Sequence, residues 1–531
     1  MPAGPRSGRL ASLACAALAA LHAATFLGAT PVDDEFILYR YADHWLGGDG
    51  LVFQVGERVE GYTQPLWLLV LAAARALGLA PVLATHLLGA LCAAGAVYAT
   101  GEAWRRRFPE SRWPVPALVL AALPAFAFHA VAGLGTPLLA LCLAAFALCY
   151  VRDEAAGRPS FAPACWLGLA CLARQEAVLF LVPFLVAEAR PGRLLRLVPA
   201  VAPLCGWMLF RLLYYGRWLP ITYAVKKLPL AEDLSYGANY LGRATLETGA
   251  LLWLALAAWA VWKRPASLGR ALSVAVVGAS LHAAYVLYVG GDYVAYGRFV
   301  MPCMPLYLLG GCAALREISF RRPRLELAAC ALAVAGPQWT QLKTRSEVTY
   351  LHVQHIERWI DVGRALRARA APDARVAVSV VGAIGYYSHL TLIDILGMTN
   401  EAIAEAPPDL EIKIKGHHRH DANWVMAQKP DLILIGGGRI LEGTHTLVLF
   451  GWEDDLLVHP DFALYSPMAM PVEGSYPLYF FLRQGSQKPE GAVPAEVNPR
   501  APVQPAGLHP GVQASGAPSG AAPAGHPGKR G

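Results

Sequence analysis

This chain contains few charged residues for its length. Only 16% of its 531 residues are Asp, Glu, Lys or Arg, whereas 56% are hydrophobic, and a soluble globular protein carries about 25% charged residues. Long stretches have no charge at all, and clusters of arginine and lysine separate them. This distribution excludes a soluble globular protein and predicts a polytopic α-helical membrane protein. The net charge of +7 does not indicate nucleic-acid binding, because most of the excess arginine lies in short loops between apolar runs.

Cysteine is absent from the hydrophilic C-terminal part of the chain. All ten cysteines lie at or before Cys330, nearly all of them within apolar runs, and no Cys-x-x-Cys spacing occurs. We therefore expect no disulfide bonds and no structural zinc site.

Apolar runs predict about eleven transmembrane helices, with the N-terminus in the cytoplasm and the C-terminus outside. The first run, 9–29, resembles a signal peptide, but the many later spans favour an uncleaved helix. The run 65–79 is too short for a span of roughly 20 residues and contains Arg75. We therefore predict that it lies along the outer membrane interface. The other predicted spans are 82–103, 114–132, 137–151, 161–173, 177–189, 196–213, 247–262, 271–289, 299–315 and 325–342.

Positive charge in the loops supports this topology. If 65–79 does not cross the membrane, every later loop with two or more arginines or lysines falls on the cytoplasmic side. These loops are 104–112, 151–158, 189–196, 262–270 and 316–324. The sequence thus predicts a multi-pass protein of the bacterial inner (cytoplasmic) membrane, with its polar outer loops and C-terminal part extracytoplasmic.

The chain divides into three predicted parts. Residues 1–342 form the transmembrane domain, whose first outer loop is 30–81. Residues 343–486 form an extracytoplasmic α/β domain. Residues 487–531 are rich in Pro, Gly and Ala, and predict a disordered tail.

The prediction of an α/β domain depends on its hydrophobic periodicity. The segment 352–370 has the apolar spacing of an amphipathic helix. Three apolar segments predict buried strands: 374–387, 430–438 and 476–484.

Candidate site residues concentrate on the predicted outer side. Asp33 and Asp34 follow the first apolar run directly. They are equally consistent with the N-terminus of a helix, where Asp complements the helix dipole. Alternatively, one carboxylate deprotonates a hydroxyl nucleophile, or the pair binds a divalent metal such as Mg, Mn or Ca. Arg40 and His44 fall on the same helical stripe as Asp33 and are candidate substrate ligands.

Other outer segments offer further candidate ligands. Arg298, six residues after Asp292, suits a phosphate or carboxylate, although an ion pair at a span terminus is an equal alternative. Lys226, beside Lys227, opposes the positive-inside rule and is a candidate phosphate ligand, although an interfacial aromatic belt is the favoured alternative for its segment 214–227. The remaining candidate ligands of the first outer loop are Glu57, Arg58, Glu60 and Tyr62, for which a solvated loop is the favoured alternative. The segment 416–424 contains three histidines and suggests metal binding, but a solvated loop is again the favoured alternative.

The segment "DDEFILYRYADHWLGGDGLVFQVGERVEGYTQPLW" (33–67) resembles the first outer loop of a bacterial group of GT-C glycosyltransferases. The best-known members are the terminal β-(1→2)-arabinofuranosyltransferases of the mycobacterial cell wall. The resemblance covers nearly the whole chain up to about residue 485, and continues in 132–141, 172–179, 210–226, 288–302 and 381–400.

This resemblance implies a polyprenyl-phosphate sugar donor, an extracytoplasmic glycan acceptor and inversion at the anomeric carbon. It assigns the paired catalytic acids to Asp33 and Asp34, and it adds Arg174 and Glu176 as substrate-binding candidates. Gly135 stands where the family usually has an acidic residue. Residues 174–176 are Arg-Gln-Glu, where the family more usually has Arg-Pro-Glu. These two departures affect substrate identity more than reaction type.

The predicted function is therefore an integral membrane glycosyltransferase of cell-envelope biogenesis. It is a hexosyl- or pentosyltransferase, with arabinofuranosyl transfer as one candidate, and an aspartate of the first outer loop is the base. One alternative is a transporter or flippase of a lipid-linked envelope precursor. That alternative requires polar groups within the spans and paired broken helices, and the sequence predicts few of the first and none of the second. Another is a non-catalytic envelope assembly or sensor protein.

Overall fold

A computed structural model describes residues 5–28, 30–190, 192, 194–319, 331, 355–439 and 451–497. The N-terminal part is helical: α1 Pro5–Ala24, α2 Asp33–Gly47, α3 Pro65–Ala76, α4 Pro81–Arg107, α5 Val115–Ala122, α6 Pro124–Ala132, α7 Thr136–Ala156, α8 Ala162–Ala173, α9 Val178–Glu188, α10 Val198–Tyr215, α11 Ile221–Lys226, α12 Leu230–Thr248, α13 Ala250–Lys263, α14 Pro265–Val289 and α15 Met304–Ile318. Short 3₁₀ turns occupy Gln175–Ala177, Leu194–Leu197 and Met301–Cys303.

Each predicted span within the described residues coincides with a helix or a pair of helices, whereas the predicted span 325–342 lies almost entirely outside them. Three helical segments are long and apolar enough to cross a membrane: Pro81–Arg107, Leu194–Tyr215 and Pro265–Val289. The number rises to five if each of two bent helix pairs counts as one span. The helical membrane architecture is therefore confirmed, and the full number of spans stays a prediction.

Two helix pairs contain a sharp bend, each a broken span or a re-entrant loop, where the sequence predicted no paired broken spans. Helices α5 and α6 meet at an angle of 64°, and α12 and α13 at 92°. Pro124 begins α6, and a proline has no N–H to continue the preceding hydrogen-bond ladder. Gly249 separates α12 from α13 with a φ of +72°, a left-handed conformation that glycine adopts without strain.

The basic loops gather at one end of the helical part. The Arg107 guanidinium donates a 2.8 Å hydrogen bond to the carbonyl of Leu268. The backbone N–H of Arg270 donates a 2.7 Å hydrogen bond to the Glu154 carboxylate. Two ion pairs connect neighbouring segments: Arg316–Glu110 at 2.7 Å and Arg270–Glu188 at 3.3 Å. These contacts agree with the predicted placement of these loops on one side. Which side faces the cytoplasm stays a prediction.

The C-terminal part contains a six-stranded sheet, so the α/β prediction is confirmed. The order is β2-β1-β3-β5-β4-β6, with β2, β1 and β3 parallel and the other pairs antiparallel. The strands are β1 Arg375–Val378, β2 Thr391–Asp394, β3 Leu432–Leu434, β4 Tyr465–Met470, β5 Leu478–Arg483 and β6 Val493–Pro494. The helices are α16 (355–369), α17 Gly382–Ser388, α18 Glu401–Ala404, α19 Ala422–Ala427 and α20 Asp454–Val458. Single 3₁₀ turns cover Ile435–Gly437, Gly451–Glu453 and Pro460–Leu464.

Two boundaries in this part differ from the prediction. The predicted strand 374–387 ends after four residues, and its second half forms α17. The predicted disordered tail begins too early, since β6 pairs with β4 at residues 493–494. The rest of the predicted tail, from 498 onward, lies outside the described residues.

Helix α2 joins the sheet-containing part to the helical part. The Arg40 guanidinium donates to the carbonyls of Gly385 and Leu390, at 2.6 and 2.9 Å. A Cβ atom on Gly382 would lie 2.0 Å from the backbone oxygen of Asp33, so only glycine permits α17 to approach α2 this closely. This contact fixes the first outer loop against the C-terminal sheet.

The predicted interfacial segment 65–79 forms a separate helix, α3, as expected from its short apolar run. The side chain of Arg75, near the end of α3, forms an ion pair with Asp43 of α2 at 2.9 Å. Its position at a membrane surface stays a prediction.

Candidate active site

Asp33 and Asp34 begin α2, but the structure gives them different surroundings. The Asp33 carboxylate accepts hydrogen bonds from the backbone N–H groups of Gly382 (3.1 Å) and Ala383 (2.8 Å), at the start of α17. Burial raises the pKa of Asp33 to about 7, and the neighbouring Asp34 charge adds to this increase against the effect of the two N–H groups. Asp33 therefore connects the two parts of the protein.

Asp34 is half-buried and lies where two cavities meet. Within the described part of the chain, no hydrogen bond or ion pair engages its carboxylate. The large cavity has a volume of about 490 Å³, and the small cavity about 170 Å³. Four residues line both: Asp34, Ile37, Lys226 and Met398. An aspartate and a lysine thus stand together at the junction.

Four cations line the large cavity, contributed by three chain segments. These are Arg174, Lys226, Lys227 and Arg298. Three have acidic partners, in the pairs Arg298–Asp292 (2.6 Å), Lys227–Asp233 (2.8 Å) and Arg174–Glu176. Lys226 forms no ion pair with a described acidic residue. Burial lowers its pKa, an effect opposed by the Asp34 charge. The cavity therefore places four cations near Asp34, and acidic partners balance the charge of three of them.

The remaining wall of the large cavity is mainly apolar or aromatic. It draws on helices α2, α9, α10 and α14 and on the segment after α14, and its members include Ile37, Leu38, Val178, Leu204, Met208, Tyr285, Tyr288, Val289 and Phe299. A space lined by both cationic and apolar side chains suits an amphiphilic anion.

The small cavity lies between α2 and the C-terminal sheet. Aspartates Asp33 and Asp34 form one side, and most of the other side is aromatic or apolar. Its aromatic members are Tyr293, His355, Trp359, His417 and Trp452.

Several predicted site residues have structural contacts instead. Arg40 is buried, and besides its two contacts to the C-terminal part it donates to the Phe53 carbonyl and the Gln54 side chain. His44 is half-buried, with its Nδ1 3.0 Å from the Val52 carbonyl oxygen. Neither residue lines either cavity.

The three charged residues of 57–60 do not reach the cavities either. Glu57 and Arg58 are exposed, and the Arg58 guanidinium lies over the ring of Tyr214. The solvated-loop interpretation is wrong for Glu60, which is buried and pairs with Arg211 at 2.5 Å. Tyr62 does line the large cavity, and Arg174, Glu176, Lys226 and Arg298 join it there, while Asp292 positions Arg298.

The solvated-loop interpretation is also wrong for the histidine segment 416–424. His417 lines the small cavity, and His418 is buried with its Nε2 3.3 Å from the Tyr236 hydroxyl. Sequence reasoning did not select His417, Trp359 or Trp452 as site residues, since they lie far from the first loop in sequence. The density of histidines was the only signal.

The side chains around Asp33 and Asp34 do not fit the predicted divalent metal site. Among the described residues, no group of three or more His, Cys, Asp or Glu side chains is arranged to hold a metal ion. Both Asp33 oxygens already accept backbone N–H groups. A metal at the aspartate pair therefore stays a prediction without support from this geometry.

The fold and these cavities define a class: a polytopic membrane protein whose charged site lies between its helices and a C-terminal α/β part. Its sequence is 29% identical over 329 residues to a terminal β-(1→2)-arabinofuranosyltransferase of Corynebacterium glutamicum, which covers 52% of this chain. The alignment spans 46% of that relative, about half of its length. The predicted resemblance to this glycosyltransferase group is thus confirmed over about half of the chain, and its extension to about residue 485 stays a prediction.

Two further comparisons also gave matches. Residues 346–479 match a family described as a domain of unknown function, DUF8728. Two structures of ArnT from Cupriavidus metallidurans, one apo and one bound to undecaprenyl phosphate, are each 14% identical, with TM-scores of 0.47 and 0.46. They cover 69% and 72% of this chain, and 81% and 85% of their own chains.

Proposed function

We propose that this protein is an integral membrane glycosyltransferase of GT-C type. It transfers a sugar from a polyprenyl-phosphate donor to an envelope glycan at the outer face of the cytoplasmic membrane, with inversion. The observation that carries the proposal is the position of Asp34, beside Lys226, at the junction of a cationic, apolar cavity and a second cavity. The sequence similarity to an arabinofuranosyltransferase supports the same reaction class.

The large cavity receives the donor. Its apolar residues suit the first isoprene units of the lipid, and its cations suit the phosphate. Arg298 and Lys226 come from different segments and converge on the same space, so both can contact one phosphate group. Asp292 holds the Arg298 side chain in place through the 2.6 Å ion pair.

Asp34 is the base. Its carboxylate takes the proton of an acceptor hydroxyl while that oxygen bonds to the anomeric carbon of the donor. The bond from the anomeric carbon to the phosphate oxygen breaks, and polyprenyl phosphate leaves with the electron pair. The adjacent cations stabilise the charge that develops on the leaving phosphate. Inversion follows because the attacking oxygen and the leaving phosphate occupy opposite faces of the sugar.

Asp33 is a positioning residue in this scheme. The Asp33 carboxylate accepts hydrogen bonds from the backbone N–H groups of Gly382 and Ala383. These bonds hold α2 against α17 and thereby orient the adjacent Asp34. The two aspartates therefore have separate roles, which sequence alone left open.

The test uses purified protein in lipid nanodiscs, a panel of radiolabelled polyprenyl-phosphate sugars and crude envelope glycans. General base catalysis contributes typically about 10²–10⁴-fold, so Asp34→Asn is expected to lower transfer by that factor. The matched control is Asp49→Asn, which changes an exposed aspartate near the other end of α2. A folded Asp34→Asn protein that transfers sugar at the wild-type rate would refute the assignment.

A further inference from the structure

The small cavity has a composition that differs from that of the large one. Apart from Asp33, Asp34 and Lys226, none of its lining side chains is an Asp, Glu, Lys or Arg. Its volume of about 170 Å³ is below the about 300–1,000 Å³ of pockets for drug-sized ligands. The space therefore suits one ring-sized group rather than a long chain.

Aromatic residues from separate segments form the far side of this space. Trp359 comes from α16, Trp452 from the turn Gly451–Glu453, and His417 from the loop before α19. The His417 ring lies 4.8 Å from the Trp452 ring and 5.3 Å from the Tyr293 ring, measured between centroids. This cluster presents apolar ring faces and polar ring edges together, which is the combination that a hydroxyl-rich ring with C–H faces requires.

The two histidines of the cavity are uncharged at neutral pH. Burial lowers the pKa of His417 to about 4, and burial together with the Arg439 charge lowers that of His355 to about 4. Lys226 is therefore the single cation on the described wall, and it stands at the junction with the large cavity. An anionic group in the small cavity would be repelled by the two aspartates that line it, at a cost in free energy.

We propose that the small cavity binds the terminal ring of a neutral saccharide, the acceptor, against Trp359 and Trp452, with one ring hydroxyl directed at Asp34. The proposal rests on the proposed function and deepens it, because it assigns the acceptor class to a specific cavity. It also gives a role to residues of the region 346–479, which matches a domain of unknown function.

The experiment measures binding of two probes to the full-length protein in nanodiscs. One probe is undecaprenyl phosphate. The other is a set of neutral methyl glycosides and short oligosaccharides of pentofuranoses and hexopyranoses, with methyl glucuronide as the anionic comparison. Wild type is compared with Trp359→Ala and with Trp113→Ala, which removes a half-exposed tryptophan beside the basic loop 104–112 at the opposite end.

Trp359→Ala is expected to weaken binding of the preferred neutral saccharide about tenfold or more and to leave undecaprenyl phosphate binding unchanged. Trp113→Ala is expected to affect neither. If Trp359→Ala does not fold, Ile414→Trp is used to fill the cavity instead, with the same expected loss, since Ile414 also lines it.

The outcomes separate the two proposals. If wild type binds undecaprenyl phosphate but no neutral saccharide, the acceptor assignment is overturned. It is also overturned if Trp359→Ala binds the saccharide as tightly as wild type does. Both results leave the glycosyltransferase proposal standing. Stronger binding of the glucuronide than of its neutral counterparts overturns the assignment too. If neither probe binds the wild type, both proposals fail.

Discussion

The contact of Asp33 with α17 predicts that the junction of the two parts weakens as pH rises through neutrality. Asp33 is outside the predicted spans, and its folded-state pKa is about 7, compared with an ordinary value of about 3.9 in an unfolded chain. Because the folded state holds the proton more tightly, the stabilisation from this linkage is fully present below about pH 3.9 and is lost as pH rises through about 7.

The magnitude follows from these two values. Proton linkage contributes about 1.4 kcal/mol to the folded contact at pH 6 and less than about 0.1 kcal/mol at pH 8. The contact between α2 and α17 should therefore lose about 1.3 kcal/mol over this interval in the wild type. Asp33→Asn removes the titrating group, so its contact should lose correspondingly less over the same interval.

Hydrogen exchange of the segment 382–388, followed by mass spectrometry and corrected for the intrinsic effect of pH, measures the opening free energy of this contact. The difference between wild type and Asp33→Asn cancels the titration of other nearby carboxylates, including Asp394, whose charge also raises the pKa of Asp33. An equal pH dependence in the two proteins would contradict the reasoning. A wild-type contact that strengthens from pH 6 to pH 8 would show that the two N–H groups outweigh burial.

Three further outcomes are expected. Gly382→Ala should separate α17 from α2 and abolish transfer, because its Cβ would lie 2.0 Å from a backbone oxygen of α2; exchange of 382–388 would report the loss, and wild-type protection with normal transfer would contradict it. Arg298→Gln should weaken undecaprenyl phosphate binding by about tenfold or more, since charge-assisted hydrogen bonds contribute about 1.5–3 kcal/mol; unchanged affinity would exclude a phosphate contact. Glu60→Ala should destabilise the protein by about 3–5 kcal/mol, because it leaves the guanidinium of Arg211 buried without its partner. Glu57→Ala changes an exposed residue and should alter stability by no more than about 0.5 kcal/mol. Thermal unfolding compares the two variants, and equal effects would contradict a stabilising ion pair between Glu60 and Arg211.

Much of the helical part was determined by local sequence. Apolar runs predicted most of the helices within the described residues, because a backbone that enters the bilayer must satisfy its own hydrogen bonds. Helices α11 and α12 were not predicted, since they lie almost wholly between the predicted spans 196–213 and 247–262. The short run 65–79 was correctly separated as α3. In the C-terminal part, 430–438 and 476–484 contain β3 and β5, as their apolar character predicted. The first-loop motif also indicated the resemblance to the glycosyltransferase group.

The interruptions of these elements were less accessible from sequence. The bend between α12 and α13 depends on the left-handed conformation of Gly249. The end of β1 and the start of α17 depend on Gly382, whose missing side chain matters because α2 packs directly against it. Local periodicity does not contain that packing partner, so 374–387 was predicted as one strand.

The surroundings of the candidate site residues were decided by tertiary structure. Asp33 and Asp34 are equivalent in sequence, and they differ because α17, about 350 residues away, supplies two N–H groups to one of them. Glu60 in the first loop is matched by a guanidinium on α10. The small cavity brings Asp34 together with Trp359 and His417. The sequence alone determined which chemical groups are available. Their burial, their hydrogen-bond partners and their convergence on one cavity arise only when distant segments pack together, because each depends on residues from more than one segment.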